Sequence, residues 1–326
     1  METRKLYYED PFQKGFATTV VSCDEVKGGY AVVLAETAFY PEGGGQPYDT
    51  GVLGEANVLE VHEKNGVITH LCDKPFEVGK SVSGKIDWAR RFDHMQQHSG
   101  EHICSGLICE RFHCDNVGFH MGADVVTIDF NADISWDELM EIEQLANLYI
   151  YEDHPIDIQF YRGAELDKVE YRSKKPLEGD VRIVSFPGAD CCACCGTHVV
   201  RSGQVGLVKF LSVQKFRDGA RIELLSGKRA HRYLSECWAQ DVRIAQALSV
   251  KPNASFAGVE RVLAELSALK QRCAKLEESV FAQTAAQYEG KGDVLLFEDE
   301  MSGDSLRKLC AVSYTHLRAH ETSQDL

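Results

Sequence analysis

The first part of the chain, up to about residue 87, alternates short runs of apolar and β-branched residues with Gly, Pro and Asp. Four runs have the length of strands, at residues 16–23, 30–36, 57–63 and 66–72. Short strands at such intervals are typical of a small barrel or sandwich. The pattern therefore predicts a small β-barrel domain over residues 1–90.

The period of the apolar positions changes at residue 87. Between residues 87 and 112, six positions fall on one helical stripe: Met95, His98, His102, Ile103, Leu107 and Ile108. A second helix is predicted from Ser135 to Glu152, because Ser135 and Glu138 have the spacing of a capping box. Strands are predicted at 124–130 and 181–186, and a hairpin with strands at 204–210 and 220–225. We therefore predict an α/β domain over residues 91–230.

Beyond residue 227 the pattern becomes helical, through about residue 250. Seven later positions then step by three and four residues: Val259, Val262, Leu266, Leu269, Cys273, Leu276 and Val280. This is a heptad seam within a predicted helical linker over residues 231–290. The seam at residues 259–280 could pair two copies into a homodimer or pack on its own protein. The predicted fold class is α+β, with a C-terminal helical or coiled-coil extension.

The sequence at the end of the chain indicates two further segments. A strand-like run at 293–297 would open another domain, of which residues 291–311 are only the start. Residues 312–326 resemble a translated sequencing adaptor, so we expect a non-native tail and a natural reading frame cut near residue 311. His316 and His320 are left out of the metal reasoning on this ground.

Composition and charge narrow the class of protein. The 326 residues are 44% hydrophobic and 26% charged, as in an ordinary globular protein. No apolar run reaches eighteen residues and the start lacks a secretory signal, so we expect a cytoplasmic location and no membrane partner. The net charge of −15 argues against a general nucleic-acid binder. Residues 160–232 nevertheless carry fourteen Lys and Arg against eight Asp and Glu, so a local basic surface is possible.

Histidine and cysteine positions indicate a metal site. His98 and His102 lie four residues apart and would share one helix face, and Cys194 and His198 repeat that step. Three imidazoles and one thiolate form a donor set that zinc prefers. His94 lies one turn before His98 and could replace His102 in the pair.

Cysteine usage agrees with metal ligation. Four of the twelve cysteines crowd into one short segment, Cys191, Cys192, Cys194 and Cys195. Neighbours so close cannot join distant segments by disulfides. Reduced thiols and metal ligation are therefore expected, with Cys191 and Cys192 as structural thiols.

Four stretches together resemble the AlaX family, free-standing relatives of the editing domain of alanyl-tRNA synthetase. They are FYPEGGGQPYDTG at 39–51, QHSGEH at 97–102, DCCACCGTHV at 190–199 and GQVG at 203–206. Their order and separation fit the family across residues 5–230. The family's cysteine motif has two glycines after the ligand, whereas Cys195 and Gly196 follow here. The four-residue step to His198 favours Cys194 over Cys195.

The resemblance implies a zinc-dependent deacylase that removes serine, or glycine as an alternative, from mischarged alanine tRNA. It implies one Zn²⁺ per chain, bound by His98, His102, Cys194 and His198, in an editing domain over residues 91–230. Such a protein would act in trans, because some ninety residues before His98 are too few for an aminoacylation domain. Longer members continue through a helical linker into a further C-terminal domain.

Two further sets of residues are candidates for the chemistry. Glu101 lies between the two histidines and could relay a proton or orient a ligand, although a solvated helix carboxylate is the plain alternative. Gly43, Gly44, Gly45 and Gln46 would bind substrate by close backbone approach and a side-chain amide, or simply form a tight turn. A pocket that hydrogen-bonds the serine hydroxyl can reject alanine by roughly 10⁴-fold.

Two other functions fit parts of the sequence. His98, Glu101 and His102 also match the H-x-x-E-H pattern of some metallopeptidases, with Glu101 as base and a downstream glutamate such as Glu178 as third ligand. That interpretation leaves Cys194 and His198 without a role. A non-catalytic RNA-binding protein with a structural zinc is the second alternative, since four protein ligands can close the metal's shell.

Overall fold

A computed structural model describes residues 2–173, 179–292 and 301–321 of the chain. The chain divides into two compact units, Met1–Ser235 and Glu236–Leu326. Strands dominate the start of the first unit and helices form the second, so the predicted mixture of α and β structure is confirmed. The predicted boundary at residue 90 falls inside a helix, and the division into domains stays a prediction.

Strands dominate residues 4–86. The elements are β1 (Arg4–Lys5), α1 (Leu6–Glu9), β2 (Gly15–Val26), β3 (Gly29–Leu34), β4 (Glu36–Thr37), β5 (Gly51–Leu53), β6 (Ala56–Lys64), β7 (Val67–Cys72) and β8 (Ser81–Ile86). Strands β2, β3, β7, β6, β5 and β8 pair in this order and close into a barrel, because β8 pairs with both β5 and β2. Alternate side chains such as Val32, Val61 and Ile68 fill its interior.

The rest of the first unit wraps two sheets around a long helix. The elements are α2 (Trp88–Phe112), β9 (Asn116–Met121), β10 (Val126–Phe130), α3 (Trp136–Tyr151), β11 (Asp157–Arg162), β12 (Asp180–Phe186), β13 (Asp190–Ala193), β14 (Val208–Phe216) and β15 (Gly219–Ser226). One antiparallel sheet has the order β14-β15-β10-β9, and the other β11-β12-β13. Both predicted helices are confirmed, including the capping box of Ser135 and Glu138 on α3.

Helix α2 joins the barrel to these sheets. Asp87 caps its start by accepting a hydrogen bond from the backbone N–H of Arg90, and His113 ends it in a left-handed conformation. Arg91, fully buried, pairs with Asp49 beside the barrel and donates to the carbonyl oxygens of Pro11 and Ala38. The opposite side of α2 packs into the core of the two sheets. A buried helix thus carries the predicted metal pair between two structural layers.

The predicted hairpin begins later than expected. Residues 202–205 form a 3₁₀ turn, and the first strand starts at Val208 instead of residue 204. The side chain of Gln204 explains the shift, because its Oε1 accepts from the backbone N–H groups of Val200 at 2.9 Å and Arg201 at 3.2 Å. These bonds tie residues 200–204 into a turn before the strand can start.

Three helices follow β15: α4 (Gly227–Ala247), α5 (Ser255–Gln287) and α6 (Gly303–Glu321). The apolar positions of the heptad seam lie on α5 and are more than a third exposed, including Leu269 and Leu276 at 57% each. Pairing of two copies through residues 259–280 stays a prediction. The strand predicted at 293–297 lies outside the described residues, while α6 runs from before residue 311 into the supposed tail. Among the described helices, none is long and apolar enough to span a bilayer.

Candidate metal centre

Four side chains from two distant segments meet beneath a cavity in the first unit. His98 and His102 project from one face of α2, and Cys194 and His198 come from the loop after β13. One donor atom from each of the four lies within 4.8 Å of the others. The Cys194 Sγ is 3.5 Å from Nε2 of His98 and 3.3 Å from Nε2 of His198. The structure therefore brings together all four residues singled out in the sequence.

Each histidine ring is held from behind by a hydrogen bond at Nδ1. The partner of His98 is Oε1 of Gln46 at 2.9 Å, and the partner of His102 is Oδ2 of Asp190 at 2.8 Å. His198 has Oγ of Ser99 at 3.2 Å. With Nδ1 occupied, each ring presents Nε2 to the cluster, which is the arrangement that orients metal-binding histidines in proteins.

The two adjacent cysteines occupy different environments. The Cys194 thiol faces the histidines and accepts a hydrogen bond from the backbone N–H of Gly196 at 3.3 Å. Cys195 is exposed, and its carbonyl oxygen accepts from the hydroxyl of Tyr8 at 3.1 Å. Spacing favoured Cys194 in the sequence, and only Cys194 belongs to the cluster among the described residues.

Protonation within the cluster also favours a thiolate. Burial opposes the charged form, but the nearby imidazoles of His98, His198 and His102 outweigh it and hold the pKa of Cys194 well below its usual range. Burial likewise opposes charge on His102, yet the Cys194 thiolate and the bond to Asp190 raise its pKa. Burial lowers the pKa of His198 to about 3. Without a metal, the cluster thus holds a thiolate beside an imidazolium, and a metal cation would take the proton's place.

The glycine-rich turn before β5 supports the cluster through Gln46. Gly43 and Gln46 exchange both backbone hydrogen bonds, at 3.1 and 3.0 Å, so the segment is a tight turn. The fully buried Gln46 amide accepts from the backbone N–H of Thr197 at 3.1 Å and donates to Oγ1 of Thr197 at 2.8 Å. Of the four residues of the turn, Gly44 lines the cavity above the cluster. Gln46 thus bonds both the ring of His98 on α2 and the backbone of Thr197, next to His198.

Gly196 leaves room for His98. A Cβ atom built on Gly196 would lie 2.1 Å from Cε1 and 2.2 Å from Nδ1 of the His98 ring. The ring is also held by stacking on Phe119, with centroids 5.0 Å apart, and by the bond of its Nδ1 to Gln46. Glycine at 196 is therefore a steric requirement of the centre.

Gly196→Ala is expected to displace His98 and lower metal affinity by about 100-fold, comparable to losing a group that orients a ligand. Metal titration of the purified variant with a competing chelator measures the loss. Gly15→Ala is the matched control, because its new methyl group would meet its nearest neighbour at an ordinary 3.6 Å. Equal metal affinity in the two variants would contradict this account of Gly196.

A cavity of about 350 Å³ opens over the cluster. His98, His102 and Cys194 form part of its wall, together with Gly44, Phe119 and the guanidinium-bearing residues Arg172 and Arg182. Among the described residues, the donor set is therefore open to a small ligand, unlike the closed shell of a purely structural metal site.

Glu101 also lines this cavity and is buried. Its Oε1 accepts from Oγ of Ser105 at 2.6 Å and from Nδ2 of Asn116 at 2.8 Å. Within the described part of the chain, Oδ1 of Asn116 has no hydrogen-bond partner. Glu101 is thus a fixed carboxylate beside the cluster and differs from the solvated helix residue considered as an alternative.

The remaining sequence candidates have other places. His94 is buried on α2 but lies outside the four-residue cluster. Cys192 approaches His102 and Asp190, a second grouping that shares His102 with the first. Glu178, the third ligand of the metallopeptidase alternative, lies outside the described residues.

Three supporting residues had no clear signal in the sequence. Gln46, Ser99 and Asp190 all stood in the quoted motifs, but nothing in their spacing assigned them to particular histidines. Asp190 is further anchored by Arg172, with Nε–Oδ1 at 2.7 Å. Such roles depend on contacts between segments some 50 to 100 residues apart.

The donor set fits a tetrahedral zinc ion. Bonds of about 2.0–2.3 Å place tetrahedral ligand atoms about 3.3–3.8 Å apart, and the Sγ–Nε2 separations of 3.5 Å to His98 and 3.3 Å to His198 lie in this range. Three neutral nitrogens and one thiolate suit a borderline cation, and each ring nitrogen not aimed at the cluster is already bonded. The four residues could hold one metal ion at the edge of a cavity that admits a ligand.

Two family models match the chain. One, described as tRNA synthetases class II (A), matches residues 9–90, which include the glycine-rich turn. The other, described as Threonyl and Alanyl tRNA synthetase second additional domain, matches residues 181–223, which include the cysteine loop.

Curated relatives of two kinds are similar over most of the chain. An alanine–tRNA ligase of Pyrococcus abyssi is 35% identical over 94% of this chain, but the chain spans only 35% of that ligase. The alanyl-tRNA editing protein AlaX-L of Pyrococcus horikoshii is 31% identical over 92% of this chain and 75% of its own length. Alanyl-tRNA editing protein Aarsd1-A of Xenopus laevis is 30% identical, with 87% and 73% covered.

Proposed function

The chain belongs to the family of alanyl-tRNA editing proteins, and on that premise we propose that it hydrolyses wrongly charged alanine tRNA in trans. The substrate bond is the ester between serine, or glycine, and the terminal ribose. The observation that carries the proposal is the convergence of His98, His102, Cys194 and His198 at a cavity that a ligand can enter. The products are the free amino acid and uncharged tRNA.

One zinc ion per chain is the proposed cofactor, held by the same four residues. When bound, zinc supplies Lewis-acid polarisation of a carbonyl and activation of water near neutral pH. The chain contributes the orientation of the donors, because Gln46, Asp190 and Ser99 fix the three rings. An ester is more reactive than an amide, so this arrangement needs no protein nucleophile.

Glu101 is the proposed proton carrier. Ser105 and Asn116 both bond Oε1, which holds the carboxylate in the cavity wall and leaves Oε2 to exchange a proton. In hydrolysis the water oxygen bonds the carbonyl carbon, the bond from that carbon to the ribose oxygen breaks, and Glu101 moves the water's proton to the ribose oxygen. The carboxylate is unchanged after each turnover.

Discrimination of serine from alanine requires polar groups that only a hydroxyl can satisfy. Burying an unpaired donor or acceptor costs about 1–3 kcal/mol, so alanine would be disfavoured in such a pocket. Asn116 belongs to the cavity wall, and its Oδ1, which no described residue bonds, is a group of this kind. Gly44 and its neighbours Gly43 and Gly45 would allow the substrate to approach the backbone, and Gln46 would act by holding His98.

The proposal is tested with purified protein on seryl, glycyl and alanyl esters of alanine tRNA. We expect hydrolysis of the seryl ester to be faster than that of the alanyl ester by up to about 10⁴-fold. Chelation should abolish hydrolysis and added zinc should restore it. The measurement is release of the amino acid, with metal content determined before and after chelation. Glu101→Gln, which keeps the shape of Glu101 but cannot take up and release a proton near neutral pH, should lower kcat while metal content stays at one per chain.

Other outcomes would favour the two alternatives. A folded, fully metallated chain that hydrolyses none of the three esters would support a structural zinc in an RNA-binding protein. Cleavage of peptides that survives replacement of His198 by alanine would support the metallopeptidase, because that interpretation gives His198 no role. Hydrolysis of all three esters at equal rates would contradict an editing function.

A further inference from the structure

A second cleft, of about 430 Å³, lies beside the metal centre in the first unit. It is formed by the start of α2, the start of α4 and the residues after β9. Its charged and titratable side chains are Arg90, Asp93, His94, Lys228, Arg229 and Arg232. None of these has a role in the proposed hydrolysis.

Two helices, α2 and α4, each contribute a pair of side chains to this cleft. Arg90 and His94 are four residues apart on α2, and Lys228 and Arg232 are four residues apart on α4. Residues at this spacing share one face of a helix, so each helix presents a pair of nitrogen-bearing side chains to the same space. Hydrogen bonds between α2 and the start of α4 fix the cleft, because Asp93 accepts from Arg229 and Gln96 accepts from the backbone N–H of Lys228.

The charge of the cleft is strongly positive. Its one carboxylate, Asp93, is bound by Arg229, with Nε–Oδ1 at 2.9 Å and Nη2–Oδ2 at 2.6 Å. Arg90 donates to the carbonyl oxygen of Tyr48 at 2.9 Å and lies over that ring, which fixes its position. Lys228 and Arg232 are exposed. The described wall of the cleft thus carries four cationic side chains and one carboxylate, in a chain whose net charge is −15.

His94 adds a buried polar group to this cleft. The residue is 3% exposed, and in the described part of the chain Nδ1 has no hydrogen-bond partner. Burial, together with the charges of Arg90 and Arg229, lowers its pKa to about 3, so the ring is neutral near pH 7. A neutral imidazole carries one N–H donor and one acceptor nitrogen. An unpaired buried polar atom costs free energy, and the residue that carries it lies in the wall of the cleft.

We propose that this cleft binds backbone phosphates of the tRNA strand whose 3′ end reaches the metal centre. The identity of the nucleic acid rests on the proposed function. His94, His98 and His102 follow one another at four-residue steps on α2, so the cleft and the centre are neighbours along one helix. His94 lies about 6 Å from His98 and 12 Å from His102 along the axis, a span of two to four stacked nucleotides at about 3.4 Å each.

Cleft binding is tested by the double variant Lys228→Gln/Arg232→Gln, measured on uncharged alanine tRNA over a range of salt concentrations. Each lost phosphate contact lowers the slope of log K against log salt by about 1. We expect a slope that is lower by about 1 to 2, about tenfold weaker binding near physiological salt, and a KM for seryl tRNA raised by the same factor. Metal content and the unfolding midpoint report whether the variant is intact.

Lys27→Gln/Lys64→Gln is the matched control, because it removes the same charge from two exposed residues of the barrel region. If net charge alone governs binding, the control will weaken binding as much as the cleft variant, and the proposal is wrong. A second pair of results would also overturn the proposal. If the parent binds inorganic phosphate with a Kd below about 1 mM, and the cleft variant binds tRNA as tightly as the parent does, the cleft binds a small anion and not tRNA.

Failure of the cleft and failure of the proposed function give different results. If the parent hydrolyses seryl tRNA, and the cleft variant keeps the parent's tRNA affinity and salt slope, only the proposal for the cleft is wrong. If the parent binds tRNA through the cleft but hydrolyses no ester, tRNA binding by the cleft is supported and the proposed deacylase activity is wrong. A parent that binds no tRNA overturns both.

Discussion

Cys194→Ala is expected to leave the chain folded but without metal, and to lower seryl-ester hydrolysis by about 10³-fold, or about 4 kcal/mol of transition-state stabilisation. The thiolate is the one anionic donor of the cluster and faces the Nε2 atoms of His98 and His198. Without it, three imidazoles would have to hold the cation alone. The fold should survive, because Cys194 is only partly buried and lies at the margin of the core.

Cys195→Ala is the control for this substitution. The Cys195 side chain is exposed and lies outside the cluster, so this variant should keep one metal ion per chain. Elemental analysis measures the metal, and thermal unfolding followed by circular dichroism measures the fold. Loss of metal from Cys195→Ala but not from Cys194→Ala would reverse the assignment of the two cysteines. Unfolding of Cys194→Ala would favour a structural zinc.

Arg91→Met is expected to lower the free energy of unfolding by about 3–5 kcal/mol, because it leaves a buried carboxylate without its partner. The side chains of Arg91 and Asp49 are both completely buried. Arg91 also bonds the carbonyl oxygens of Pro11 and Ala38, so the substitution removes several links between α2 and the barrel. Within the described residues, the Asp49 carboxylate would keep one hydrogen bond, the 2.7 Å bond from the backbone N–H of Tyr40.

The matched control lies on the same helix. Arg111 pairs with Glu141 at 3.4 Å, but both side chains are more than half exposed. Arg111→Met should therefore cost no more than about 1 kcal/mol. Equilibrium unfolding in urea of parent and both variants measures the difference, provided that the slope against denaturant is unchanged. Equal costs for the two substitutions would show that the Arg91 pair does not hold α2 to the barrel.

Local patterns predicted much of the secondary structure. The apolar period identified α2, and the Ser135 and Glu138 pair identified the start of α3, because helix stripes and capping boxes depend on residues within a few positions of each other. The start of β14 was missed for the opposite reason. There the side chain of Gln204 bonds backbone N–H groups and replaces strand by a turn, a choice that propensity does not reveal.

The sequence by itself identified the candidate metal ligands: the four-residue steps from His98 to His102 and from Cys194 to His198 make two-donor pairs wherever the segments lie. Only the tertiary structure decided that the two pairs meet, that Gln46, Asp190 and Ser99 aim the rings, and that His94 faces a different cleft. The physical reason is the separation along the chain between the residues that interact. Spacing along a helix follows from local backbone geometry, whereas contacts between distant segments follow from how α2 packs between the barrel and the sheets.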